Sequence, residues 1–251
     1  MKKMLAVSVL ISLLAVWPAM AERAETAFNA GRFLDAARIA EAEGGADNLA
    51  YAARSFLAEA VASGAPAPLQ LDRAEALARR ALEADPEHIE ARLQLAIALS
   101  LKSRAMSTGE ALESGYGRTA CDLVQSVLED DPDNVYAHGF LAIWNIEVIR
   151  RGGGLGAAFM GASMGQARRH YRAATQTGEA DLSIDWQFAR ALASLNARKY
   201  RDEIEASLAR AAAAHPDTAL AEMMQSRALS FRQYVTSHSR RDIEALAASL
   251  L

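Results

Sequence analysis

The chain has 251 residues, 51% hydrophobic, 23% charged and only 6% aromatic. That balance excludes a disordered polymer, and an apolar share dominated by alanine, with six prolines in all, points to an all-α fold of packed helices. A formal charge of −4 with no basic stripe excludes nucleic acid as a partner.

Residues 1–21, MKKMLAVSVLISLLAVWPAMA, have the layout of a secretory leader. Lys2 and Lys3 supply the positive start, and Met4 to Val16 an apolar run. Pro18 breaks that run before Ala19-Met20-Ala21, an A-x-A cleavage site. The run is shorter than the roughly 20 residues a spanning helix needs. Cleavage after Ala21 is therefore expected, with Glu22 as the mature start and a bacterial periplasmic or secreted location. No cysteine lies near the site, so the protein is not expected to be a lipoprotein.

From residue 22 onward one amphipathic segment recurs. Its copies are AEALARRALEADP (74–86), ACDLVQSVLEDDP (120–132), the weaker IEASLARAAAAHP (204–216), and ARRHYRAATQTGE (167–179), which lacks the proline. Aligned on their ends, Ala74, Ala78 and Ala81 fall over Ala120, Val124 and Val127, and over Ala167, Tyr171 and Ala174. Small residues recur on one helical face and a stop signal follows them. Cys121 sits in one of these helices with no His or Lys cluster beside it, and reads as a packed, unreactive thiol.

The segment resembles the second helix of a tetratricopeptide (TPR) unit; another helical-hairpin array of the Sel1 type is the alternative. The copies are 46, 47 and 37 residues apart, against a TPR period of about 34. The resemblance implies a right-handed α-solenoid of about five hairpins filling residues 22–251. First helices are expected at 48–62, 88–102, 134–150 and 183–197, after a half-matched leading unit with Gly31, Phe33 and Ala36. Residues 217–250 would form a capping helix pair with a polar outer face.

The extra length falls at 63–69, 103–117 and 152–165, each between the first and second helix of a unit. All such turns share one edge of a solenoid, so this edge is a candidate contact lip; tolerated loop growth is the other reading. Within 103–117, Ser107 and Glu110 have capping-box spacing and predict a short helix near 108–114, leaving Tyr116 in an exposed turn. The 152–165 segment is glycine-rich and flexible on its face, with apolar Leu155, Phe159 and Met160. It lacks the lysine and Ser/Thr of a phosphate loop. Packing on its own repeat is preferred, with Ser163 and Gln166 as a capping box; docking of a hydrophobic partner or a membrane surface is the other possibility, and membrane contact is not favoured.

The resemblance also implies function. The concave face of a TPR solenoid takes a protein or peptide partner, and here it would be lined by Glu90, Leu93, Ile97, Tyr136, Ile143 and Glu147. Trp144 and Trp186 are core anchors or groove walls. The five histidines have no metal-ligand spacing and no nucleophile elbow is present, so neither catalysis, a cofactor nor a metal is expected. The expectation is an exported, non-catalytic scaffold for protein–protein interaction. The alternative is an accessory subunit of a periplasmic transport or envelope-assembly system.

Overall fold

The computed structural model describes residues 16–64, 67–176 and 181–250. Lys2, Lys3 and most of the apolar run of the expected leader lie outside these residues. The described residues form thirteen helices and no strand, so the fold is all-α. In chain order they are α1 (Val16–Asn29), α2 (Phe33–Glu43), α3 (Gly45–Ala62), α4 (Pro68–Ala84), α5 (Ile89–Arg104), α6 (Thr108–Glu113) and α7 (Tyr116–Asp130). These are followed by α8 (Val135–Met160), α9 (Met164–Gln176), α10 (Leu182–Asn196), α11 (Arg201–Ala213), α12 (Ala219–Ser237) and α13 (Arg240–Ser249). The backbone of Val16–Ala21 begins α1.

Proline and a polar cap set the joints. A residue before proline is pushed out of the helical region, and Asp85 and Asp131 are accordingly non-helical where α4 and α7 end. Two or three residues later His88 and Asn134 accept hydrogen bonds from the backbone N–H groups of Ala91 and Ala137, capping α5 and α8. His88 also bonds Asp47 of α3 through Nε2 at 2.9 Å, tying one joint to the helix before it.

The helices pack in succession: α1 on α2, α3 on α4, α5 on α7, α8 on α9 and α10 on α11. The repeated face is the buried face in four of them. Ala74, Ala78, Ala81, Ala120, Val124, Val127, Ala167, Ala174, Ile204, Leu208 and Ala211 are all fully buried, and Tyr171 nearly so. Small residues bring the axes close. At Gly139 of α8 an added Cβ would lie 2.8 Å from Ile184 of α10, so any larger residue would force the Ile184 side chain to shift. The first members of the pairs also pack side by side, α3 on α5 and α8 on α10.

Polar side chains link successive pairs. Arg92 of α5, almost wholly buried, donates to Asp130 (2.5 Å) and Ser126 (3.1 Å) of α7. The buried Tyr171 hydroxyl of α9 donates to Asp185 of α10 and bonds Ser207 of α11, while Arg210 donates to it; its ring stacks on Phe188 at 3.6 Å.

The last two helices do more than cap the final unit. The segment read as a capping pair puts α13 on α10, while α12 packs on α10 and α11 and also reaches α1 and α3. Arg227 of α12 donates to the Val61 and Ala62 carbonyls at the end of α3. Leu220 packs beside Phe28 and Phe33, and Gly31, at φ +75, lies so close to Ala219 that a Cβ there would stand 3.1 Å from it. The end of the chain is thereby fastened to its beginning, across the face that the first helices share.

Candidate functional site

A large cavity, about 1090 Å³, lies on that face. Each wall helix presents one stripe at the three-to-four-residue spacing of a helical face. Arg54, Leu57 and Val61 come from α3; Glu90, Leu93, Ile97, Leu101 and Arg104 from α5. Tyr136, Phe140, Ile143 and Glu147 come from α8, with Ile184, Gln187 and Arg190 from α10 and Leu220 and Met224 from α12. The middle of the cavity is apolar and the charged groups sit at its two ends.

All six expected groove residues and all three expected lip residues line this one cavity. Groove and lip are therefore two parts of one surface. They are not equally accessible: Leu93 is buried, whereas Leu155 is 89% and Phe159 71% exposed. Leu112 of α6, 64% exposed, lies on the same margin. The cavity thus has an apolar rim built from two of the inserted segments.

The rim is more ordered than its glycines suggest. The 152–165 segment was expected to be flexible, yet α8 runs on to Met160 with one break at Gly153, at φ +59 and ψ −160. Glycine is needed at that break because a Cβ is disfavoured at such a φ. Ala157, Ala162 and Met160 pack inward, as expected for packing on its own repeat, while Leu155 and Phe159 are left exposed. Ser163 caps Gln166 N–H, but the reciprocal half of the capping box is absent; Gln166 donates to Gly161 O, and Ser163 N–H donates to the buried Asn145 side chain at 2.8 Å. The Ser107–Glu110 capping box is complete. Tyr116 is the first residue of α7, half-buried with Lys102 near its ring, and not in an exposed turn.

Trp186 is a core anchor, wholly buried, whereas Trp144 is a buried groove wall whose Nε1 donates to Gly117 O at 2.9 Å. Cys121 is buried, and desolvation followed by Asp122 pushes its thiol up to about 11, which leaves it protonated and inert. Among the described residues no group of three His, Cys, Asp or Glu side chains is placed to hold a metal ion.

The two ends of the cavity differ in charge. At the helix N-termini, Arg54 lies 3.9 Å from Glu90, with Tyr136 and Asp181 beside them. At the other end a single carboxylate, Glu147, meets four guanidiniums. It accepts from Arg190 (2.8 Å) and from Arg150 (2.8 Å). Burial works to raise its pKa, but Arg190, Arg150 and Arg104 together hold it down to about 2. Arg190 also donates to Ala247 O and Gln187, Arg151 to Ser103 O and Met106 O, and Arg104 to Leu250 O at 2.6 Å.

Sequence reasoning found α5 and α8 as walls but missed Arg104, Arg190 and the whole of α12. Arg104 was legible as the continuation of a stripe already drawn, seven residues after Ile97, whereas no groove stripe was drawn on the helix that carries Arg190. Leu220 and Met224 share a helical face, but nothing local says that this helix crosses back over the first ones. The chain matches no protein-family model, no curated protein and no solved structure.

Proposed function

We propose that this chain is an exported, non-catalytic scaffold of the cell envelope, a TPR-like right-handed solenoid whose inner face holds an elongated apolar guest. The solenoid reading rests on consecutive helix pairs that bury the repeated small-residue face and end at acidic-proline joints. The export reading rests on the leader-like residues 1–21. The observation that carries the function is the cavity: about 1090 Å³, apolar through its middle, with Leu220 and Met224 of α12 adding to the wall built by the first helices. Its volume lies just above the usual range for small-molecule sites. The wall that α12 adds favours an accessory subunit that carries a substrate for a transport or envelope-assembly system.

A second reading has its own support. Leu112, Leu155 and Phe159 form an exposed apolar rim, which suits a protein or peptide partner and is a poor fit for nucleic acid. Native mass spectrometry of the chain recovered from a periplasmic extract separates the two. The expected result is a small-molecule adduct that denaturation releases. A bare chain that instead captures a protein, and loses it when Leu155 and Phe159 are changed to Ser, would place the function on the rim.

A further inference from the structure

The guanidinium cluster at one end of the cavity has no counterpart in the reading above. Arg104, Arg150, Arg151 and Arg190 face one carboxylate, and both oxygens of Glu147 are already taken by Arg150 and Arg190. Arg151 is satisfied by two backbone carbonyls, Ser103 O and Met106 O. Arg104 lines the cavity and, among the described residues, has a single hydrogen-bond partner, the neutral Leu250 carbonyl. A largely desolvated guanidinium that shares Glu147 with Arg150, Arg151 and Arg190 is incompletely neutralised. Burial, then the neighbouring Arg190, pushes Arg104 down to about 10, with Glu147 offsetting part of the shift.

We propose, building on the guest-binding reading, that the cavity takes a long-chain carboxylate: an acyl tail along the apolar walls and its head group on Arg104. The tail fits the middle of the cavity. Leu57, Leu93, Ile97, Ile143, Leu220 and Met224 offer it contact and no hydrogen bonds. That same lack of polar groups disfavours a peptide there, because an extended backbone would leave its N–H and C=O groups unpaired. The distance also suits a single chain. From Glu90 to Arg104 the α5 wall rises about 21 Å at 1.5 Å per residue. The head group is set by charge: a planar carboxylate accepts two parallel N–H bonds from a guanidinium. The opposite end has Asp181 and a Glu90 paired with Arg54, and so lacks the excess of guanidiniums that would hold an anion. The exposed rim residues Leu112, Leu155 and Phe159 stand at the cationic end.

The test is titration calorimetry on delipidated full chain with hexadecanoate and with hexadecanol, which share a tail and differ in charge. The acid is expected to bind at least about 10-fold more tightly than the alcohol, the contribution of a charge-assisted hydrogen bond. Arg104→Met should erase that preference while leaving the alcohol's affinity within about two-fold, and Arg104→Lys should restore part of it. Retained affinity for the alcohol also shows that the variant is folded. Equal affinity of the wild type for acid and alcohol would overturn the carboxylate assignment and leave the apolar guest standing. Binding of neither would overturn both.

Discussion

Replacing Glu147 with Gln is expected to destabilise the folded chain by about 3 kcal/mol at neutral pH, because it leaves the buried Arg190 without the carboxylate it pairs with. Glu147 joins α8 to α10 through Arg190, whose side chain is 1% exposed and which in turn holds the Ala247 carbonyl of α13. The loss is therefore spread over three helices. A pH dependence distinguishes this from a packing defect. The carboxyl is held down to about 2 in the folded chain and titrates near 4.3 when unfolded. Its contribution is thus complete above about pH 5 and disappears as the pH falls toward 2. Urea midpoints of wild type and Glu147→Gln should differ most at neutral pH and converge over that acid interval. A difference that is constant with pH would show that the charge network is not the cause.

Truncating Trp186 to Ala should cost about 3–5 kcal/mol, the usual range for removing a large buried aromatic. The indole is fully buried in the second half of the stack, edge-on to Phe231 of α12 at 5.5 Å. Its loss would loosen the contact that brings α12 over the inner face. Trp186→Phe is expected to cost less than about 1 kcal/mol. The Trp186 Nε1 is buried without a partner, and removing an unsatisfied donor returns part of the lost packing. The pair of substitutions, compared by thermal unfolding, separates volume from polarity. A Phe variant as unstable as the Ala variant would mean that the indole nitrogen has a partner in solution.

The local rules carried the fold a long way. Small residues at helical spacing marked the buried face of four helices, and proline marked two of the joints. Such features are local, set by propensity and sterics within a dozen residues. The stripes of α5 and α8 were readable for the same reason, since a helical face repeats every three to four residues. Closure of the stack was not readable. It depends on Leu220 meeting Phe28 and Phe33 across nearly the whole chain, and on Arg227 reaching the end of α3. Neither residue carries a pattern that names so distant a partner. The guanidinium cluster was hidden likewise, because Arg104, Glu147 and Arg190 come from three helices and meet only after packing. The glycine-rich segment misled in the opposite direction. Its composition suggests a loose loop, but Gly153 takes one break, Gly161 ends the helix in a left-handed cap, and Gly152, Gly154 and Gly156 lie within it.

Binding of an uncharged apolar dye such as Nile red tests most directly whether the cavity on the inner face holds a guest. Ile97 and Ile143 are half-buried and point their side chains into the cavity, so tryptophan at both positions fills space without entering the core. The wild-type chain should bind the dye saturably at one site with blue-shifted emission. The Ile97→Trp, Ile143→Trp double variant should lose at least about 10-fold in affinity, a difference of about 1.4 kcal/mol, with its helicity unchanged. Undiminished dye binding by the filled variant would contradict an internal site.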